Sequence, residues 1–139
     1  MDHNNLAELE QQLLAPSLDL IEDIKKIQGD ILFLGIGGKM GPSMAKLAMR
    51  AIQAAGIDKK VIGVSRFSTK ELQQELEDLG IKTIACDLLN EEELKKIPQV
   101  PNVIYLAGHK FGTTGNEDFT WAMNTYLPGM VASHFQDSN

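Results

Sequence analysis

The sequence predicts an α/β fold, a doubly wound parallel sheet preceded by a helical arm, and three observations carry that prediction. Short apolar runs alternate with amphipathic stretches from residue 30 onward, as strands alternate with crossover helices in α/β domains. The first run, Ile31–Leu34, is wholly apolar, which is typical of a strand buried on both faces. A glycine-rich turn follows it at residues 35–41. The expected strand order in the sheet is 3-2-1-4.

The composition limits the class of protein before any motif is considered. With 139 residues, 43% hydrophobic and 23% charged, the chain is long enough for one domain with its own core. Its net charge of −6 argues against binding to nucleic acid or to an anionic membrane surface, both of which attract basic proteins. Cys86 is the only cysteine, so disulfide frameworks and cysteine-rich zinc sites are excluded within one chain, and no metal site is expected.

The sequence contains neither a membrane-spanning pattern nor a targeting pattern. No apolar run approaches the ~18 residues that a transmembrane helix requires. The N-terminal stretch has several carboxylates before its first lysine, Lys25, unlike a signal or transit peptide. We therefore expect a cytoplasmic protein.

Residues 1–29 are expected to form the helical arm. Two amphipathic patterns lie there, and Pro16 separates them. In the second pattern, Asp19 and Glu22 have the spacing of a capping pair, and Gly29 follows the last apolar position. We interpret the segment as an arm packed on the main domain, with an oligomerisation arm as the alternative. The apolar positions are Leu6, Leu9, Leu13 and Leu14 in the first pattern and Leu18, Ile21, Ile24 and Ile27 in the second.

Residues 30–139 are expected to form the main domain. Gly56 and Gly80 each follow a helical pattern and are expected to end it. Asn90 is expected to cap a short helix whose first turn carries three glutamates, where the helix dipole favours negative charge. The predicted strands are Ile31–Leu34, Val61–Val64, Ile81–Cys86 and Val103–Leu106, and the predicted helices are Pro42–Ala55, Thr69–Leu79, Asn90–Ile97 and Asn116–Phe135.

The turn after the first strand has the pattern of a dinucleotide-binding loop. Every third residue from 35 to 41 is a glycine, between a strand and a helix, which is the context that gives such a motif its mechanism. The first glycine permits a tight turn, the second lets the backbone approach a pyrophosphate, and the third lets the helix lie close to the strand. N–H groups at the start of the helix then face the phosphates. The candidate cofactor-binding residues here are Gly35, Gly37, Gly38, Lys39, Met40 and Gly41.

A mononucleotide P-loop is excluded at this turn. Met40 stands where that motif needs Ser or Thr after the lysine, and Phe33 stands where it needs its first glycine. The remaining alternative to dinucleotide binding is a glycine-rich connection that holds no ligand.

The residues after the second strand bear on the choice between NAD and NADP. An acidic residue there would bind the ribose 2′-hydroxyl of NAD, whereas a basic residue accommodates the 2′-phosphate of NADP. The sequence offers Arg66, with possible hydroxyl contacts from Ser65 and Ser68, and no carboxylate at residues 64–70. Because a guanidinium suits phosphate, we favour NADP slightly over NAD, with a solvated arginine as the alternative.

Three further motifs follow in order along the chain. The first comes directly after the third strand, the second consists of small residues at the end of the fourth strand, and the third is an asparagine in the helix that follows. Together with the glycine turn, these motifs resemble the N-terminal half of the extended short-chain dehydrogenase/reductase group, the NAD-dependent epimerase/dehydratase family, over residues 30–135. The motif residues are Asp87 and Leu88 after the third strand, Leu106, Ala107 and Gly108 at the fourth, and Asn124.

The resemblance implies a Rossmann-like fold and a role for each motif. Asp87 would contact the adenine amino group, and Asn124 would help arrange the catalytic region. The small residues of the fourth-strand motif would let the backbone run close to the ribose and nicotinamide end of the cofactor. The whole protein would be a nucleotide-sugar epimerase or dehydratase, or a related reductase. Without the resemblance, Asp87 is equally well explained as a loop cap, and His109 beyond the fourth strand as a satisfied loop residue.

The sequence departs from the family at the catalytic residues. Family members use a Tyr-x-x-x-Lys pair, in which the tyrosine acts as acid and base. Here Tyr105 is followed four residues on by His109, and Tyr126 by Met130. The sequence reaches Asn139 where a fifth strand would begin, so we expect a Rossmann domain truncated before strand five, without catalytic residues and inactive on its own.

Three functional hypotheses therefore stand. The chain is the NAD(P)-binding portion of an epimerase, dehydratase or oxidoreductase, or a stand-alone nucleotide-binding regulatory module, or an assembly surface with an empty turn. The sequence does not specify the substrate. Because the fourth strand would leave an apolar edge, we expect a homodimer through that edge or another segment, such as a missing C-terminal half, that covers it.

Overall fold

A computed structural model describes residues 3–110 and 112–139, and it confirms the predicted α/β architecture. Four strands form one all-parallel sheet in the order β3-β2-β1-β4, which is the order expected for a Rossmann-like, doubly wound fold. The strands are β1 (Ile31–Leu34), β2 (Val61–Ser65), β3 (Lys82–Ala85) and β4 (Asn102–Tyr105).

Strand β1 lies at the centre of the sheet and divides the core in two. Its side chains alternate between the faces, so Leu32 and Leu34 enter one buried cluster while Ile31 and Phe33 enter the other. Residue Leu32 is in register with Ile62 on β2 and with Val103 on β4. Because all four strands are parallel, their carboxyl ends and the loops that follow meet at one edge of the sheet.

Helices cover both faces. They are α1 (His3–Leu13), α2 (Leu18–Lys26), α3 (Gly41–Ala55), α4 (Lys70–Asp78), α5 (Glu91–Leu94), α6 (Glu117–Trp121) and α7 (Leu127–His134), and a π-helical turn (Ala122–Tyr126) joins the last two. The buried cluster that contains Leu32 and Leu34 packs under α5 and α7, and the cluster that contains Ile31 and Phe33 packs under α2, α3 and α4. Among the residues described, no helix is both long enough and apolar enough to span a bilayer.

The last helix differs from its prediction as a regular helix over 116–135. It is interrupted at Ala122–Tyr126, where the backbone widens into a π-helical turn. Pro128 explains the position of this turn: it has no N–H for the carbonyl of Asn124, and its ring crowds that carbonyl. The wider turn changes which residues of this helix share a face.

The caps of the helices agree with the sequence at two places and differ at one. The Asn90 side chain accepts hydrogen bonds from the N–H groups of Glu92 and Glu93, and Gly56 ends α3 in the left-handed conformation. The expected Asp19 and Glu22 capping pair is wrong. Ser17 caps α2 instead, since its Oγ accepts a hydrogen bond from Leu20 N at 3.1 Å.

A cluster of charged side chains links the arm to the main domain. The Lys46 ammonium on α3 lies 3.0 Å from a Glu10 carboxylate oxygen on α1 and 2.5 Å from one of Glu75 on α4. Burial opposes the charge of Lys46, but hydrogen bonds with Glu75 and Glu10 outweigh it, so its pKa is raised. Lys46 therefore stays charged at neutral pH and connects three helices.

The Lys46→Ala substitution is expected to lower the free energy of unfolding by about 1–3 kcal/mol, because two carboxylates lose their shared cation. Urea unfolding followed by circular dichroism measures the change. Lys95→Ala is the matched control: Lys95 makes one exposed pair with Glu92 at 2.8 Å, and its loss should change stability by less than about 1 kcal/mol. Equal effects of the two substitutions would contradict a structural role for the cluster.

Candidate functional site

A cavity of about 240 Å³ lies at the carboxyl edge of the sheet, between the loops that follow the four strands. This is where open α/β sheets bind ligands, at the point where the strand order reverses. Ten of the fourteen predicted site residues line it: Gly35, Gly37, Gly38, Ser65, Arg66, Asp87, Leu88, Leu106, Ala107 and Gly108.

Five further residues line the cavity, and of these only Ser68 was expected, as a hydroxyl contact. Phe67 follows Arg66 directly and Cys86 precedes Asp87, so their positions next to predicted residues could have indicated them. The other two, Phe119 and Met123, belong to the helix after β4. Nothing in the sequence marks them, because only the folding of that helix over the sheet edge brings them to the cavity.

The glycine turn is packed tightly against β2 and β4. A Cβ on Gly35 would stand 2.6 Å from the backbone nitrogen of Ala107, and the residue has a φ of +85°, which favours glycine. A Cβ on Gly37 would collide with Ser65 Oγ, and one on Gly41 with the backbone of Ile36. Packing within the protein therefore accounts for these three glycines.

Gly38 and Gly108 are different. A Cβ on Gly38 would meet only the carbonyl oxygen of Gly35, at 3.4 Å, and one on Gly108 only Asn124 Oδ1, at 3.5 Å. Neither residue has the positive φ that excludes other residues. Both line the cavity, and packing within the protein does not require glycine at either position.

The start of α3 leaves backbone donors without a side-chain cap. The N-cap residue Met40 makes no side-chain hydrogen bond to the helix, as is also the case at the starts of α4 and α6, whereas side chains cap α2 and α5. The turn's own N–H groups are partly used: those of Gly35 and Ile36 both donate to the carbonyl of Val64. Lys39 and Met40 are exposed at the tip of the turn and Gly41 is buried beneath it, so these three predicted residues lie outside the cavity wall.

The loop after β2 has a strained residue. Phe67 has a φ of +46°, an uncommon conformation for a bulky side chain, and its N–H donates to Ser65 Oγ at 3.4 Å. This tight bend puts the exposed Arg66 beside the cavity, and Phe67 itself packs partly into the core. Such strain at a cavity wall is typical of ligand-binding sites.

The loop after β3 uses Asp87 in two ways. One carboxylate oxygen accepts a hydrogen bond from Leu89 N at 3.1 Å, which is the loop-capping role considered above. The residue also lines the cavity. Cys86 beside it is a neutral thiol at physiological pH, because burial, followed by the charges of Glu93 and Asp87, raises its pKa to about 11.

Asn124 clamps the loop after β4. Its Oδ1 accepts a hydrogen bond from His109 N at 2.8 Å, and its Nδ2 donates to His109 O at 2.7 Å. The residue is absent from the cavity lining, so its observed contacts hold the backbone next to Gly108 in place. The His109 ring lies 3.0 Å from Thr120 Oγ1 and packs edge-on against Phe119.

The tautomer of His109 follows from these bonds. Thr120 Oγ1 has one hydrogen, which it donates to the carbonyl of Asn116 at 2.8 Å. It must therefore accept from His109, so the neutral imidazole carries its proton on Nδ1. These contacts fix the ring as part of the cavity's support.

The charged side chains on the cavity wall balance each other. Among the lining residues described, Asp87 is the only carboxylate and Arg66 the only cation. Lys39 lies on the adjacent glycine turn, in a chain whose net charge is −6. Within the described part of the chain, no group of three His, Cys, Asp or Glu side chains is arranged to hold a metal ion.

Comparison of the chain with known proteins does not identify its family. No protein-family model matches the chain. No curated protein matches it either.

The Asn124→Ala substitution is expected to loosen the loop after β4, because the backbone N–H and C=O of His109 both lose their hydrogen-bond partner, the Asn124 side chain. Hydrogen exchange of the His109 amide should accelerate at least about tenfold, since a net loss near 1.4 kcal/mol is typical for such bonds. Asn124→Asp keeps an acceptor for His109 N and loses the donor to His109 O, so an intermediate rate is expected. An unchanged rate in both variants would rule out the clamp.

Proposed function

We propose that the chain binds a dinucleotide, NADP or NAD, in the cavity at the carboxyl edge of the sheet. The observation that carries the proposal is the pair Gly38 and Gly108, at which packing within the protein does not require glycine but a ligand in the cavity would. Glycine at residue 38 leaves the backbone of the turn open to a pyrophosphate.

The glycine turn supports binding of the pyrophosphate in particular. The start of α3 has no side-chain cap, so N–H groups and the positive end of the helix dipole are available to an anion. The cavity walls contribute Arg66 and the hydroxyls of Ser65 and Ser68. Asp87 and Leu88 on the loop after β3 are suited to the adenine, and Ala107 with Gly108 to the ribose and nicotinamide end.

Within this proposal the chain orients the cofactor, and the cofactor supplies hydride transfer. This corresponds to the NAD(P)-binding portion of a nucleotide-sugar epimerase or dehydratase, or a related reductase, in the cytoplasm. A second candidate, a non-catalytic nucleotide-binding module, is favoured by the lining itself. The ionisable groups described there are Arg66, Asp87 and the neutral thiol of Cys86, which do not form an acid/base pair.

The Gly38→Ala substitution tests the proposal directly. Under the proposal the added Cβ crowds the pyrophosphate, so the dissociation constant for NADPH should rise at least about tenfold, equivalent to ~1.4 kcal/mol. Within the protein that Cβ meets only the carbonyl oxygen of Gly35, at 3.4 Å, so the urea midpoint should stay unchanged. Titration of NADPH and NADH fluorescence measures the affinity. Gly35→Ala is the contrasting variant, since its Cβ would press on Ala107 and lower stability as well. Absence of binding to either nucleotide in the unsubstituted protein would refute the proposal.

The Arg66→Ala substitution tests the preference for NADP. Removing the guanidinium should weaken NADPH binding about tenfold or more and leave NADH binding nearly unchanged, because only NADP carries a 2′-phosphate. Arg50→Ala, on α3 and outside the cavity lining, is the matched control. Equal losses for the two nucleotides would show that Arg66 does not discriminate between them.

A further inference from the structure

The loop between β2 and α4 consists of only four residues, 66–69, and the structure fixes both of its ends. At the start, the carbonyl of Ser65 accepts a hydrogen bond from Cys86 N at 2.9 Å, which ties the end of β2 to the segment after β3. At the other end, α4 begins at Lys70 and packs on the core through the buried Leu76. A connection this short has little slack, so the backbone conformation of one residue decides the direction of its neighbours.

Phe67 has an unusual backbone conformation within this loop. Among the residues described it is the one residue other than glycine with a positive φ, at +46°. Large side chains rarely adopt this conformation, because the Cβ crowds the backbone carbonyl. Glycine or asparagine commonly occupies such a position, so a phenylalanine keeps this φ only where its surroundings compensate for the strain.

The side chain of Phe67 supplies that compensation. Its ring is half-buried and packs against the apolar cluster that contains Ile31 and Phe33. Its N–H donates to Ser65 Oγ at 3.4 Å, and the same oxygen occupies the space that a Cβ on Gly37 would need. The backbone of Phe67 is therefore held by its ring in the core and by Ser65 at the sheet edge.

Arg66, directly before Phe67, has no such support for its side chain. The side chain is exposed, and within the described part of the chain its guanidinium forms no hydrogen bond or ion pair with another residue. Its direction is therefore set by the backbone. An ordinary right-handed φ at Phe67 would turn the Arg66 end of the loop by roughly 100° about the N–Cα bond of Phe67. In the observed conformation Arg66 lines the cavity.

We propose that Phe67 is a positioning residue for nucleotide selectivity. Its ring in the core holds the left-handed backbone, and that backbone directs the Arg66 guanidinium toward the 2′-phosphate of NADP in the cavity. A guanidinium binds phosphate through N–H donors in a fixed fork, so its direction of approach decides how strongly it binds. The inference rests on the proposed dinucleotide function, and it adds a determinant that the charge of Arg66 alone does not supply.

The ratio of the dissociation constants for NADH and NADPH measures this role. Phe67→Val replaces the ring with a β-branched side chain that disfavours a positive φ, so the ratio should fall at least about threefold. Loss of a direct contact between the ring and the nucleotide would weaken both nucleotides alike and cancel in the ratio. Leu72→Ala is the matched control: Leu72 packs against the same cluster from α4, and its loss should leave the ratio unchanged.

A double-mutant cycle separates action through Arg66 from a general loosening of the site. In the Arg66→Ala background, Phe67→Val should leave the ratio unchanged, because the guanidinium that Phe67 positions is gone. Phe67→Gly is the second variant. Glycine adopts a positive φ without strain, so the fold should be kept, but without the ring nothing in the core holds the loop and the ratio should again fall.

The ratio is compared among variants that keep the circular dichroism of the unsubstituted protein. An unchanged ratio in either Phe67 variant, or an equal fall in the Arg66→Ala background, overturns the positioning role. Binding of NADPH no tighter than that of NADH by the unsubstituted chain also overturns it, while dinucleotide binding stands. Binding of neither nucleotide overturns the proposed function and this role with it.

Discussion

The close approach of the glycine turn to its neighbouring strands is the constraint on which the rest of the site depends. Strand β1 lies between β2 and β4, so the turn that leaves it must pass within van der Waals contact of Ser65 on one side and Ala107 on the other. Only residues without a Cβ fit there. The turn thereby stays at the carboxyl edge of the sheet, where Gly35, Gly37 and Gly38 line the cavity just before α3 begins.

The far wall of the cavity depends on a different kind of contact. The start of the loop after β4 lines the cavity and is held from outside. Asn124, which lies in the π-helical turn before Pro128, supplies this support through two hydrogen bonds to the His109 backbone. The same helix thus has an inner side that supports the site and an outer side that exposes Trp121.

Much of the site followed from local sequence because its determinants are local. The order of elements, the strand positions and the glycine spacing are all set by residues within one turn or one strand of each other. Asn90 and Gly56 behaved as their cap chemistry predicts. Where two local signals competed, as at the start of α2, the hydroxyl of Ser17 was used because it reaches the Leu20 N–H directly.

The sequence alone determined the α/β class, the 3-2-1-4 sheet and ten of the residues that line the cavity. Only the tertiary structure decided which glycines serve packing and which leave space, since that depends on what stands opposite each Cβ. It alone also brought Phe119 and Met123 to the cavity and gave Asn124 its place behind His109. The physical reason is that these contacts join segments separated along the chain, and no periodicity or propensity within one segment encodes where a distant helix crosses the sheet edge.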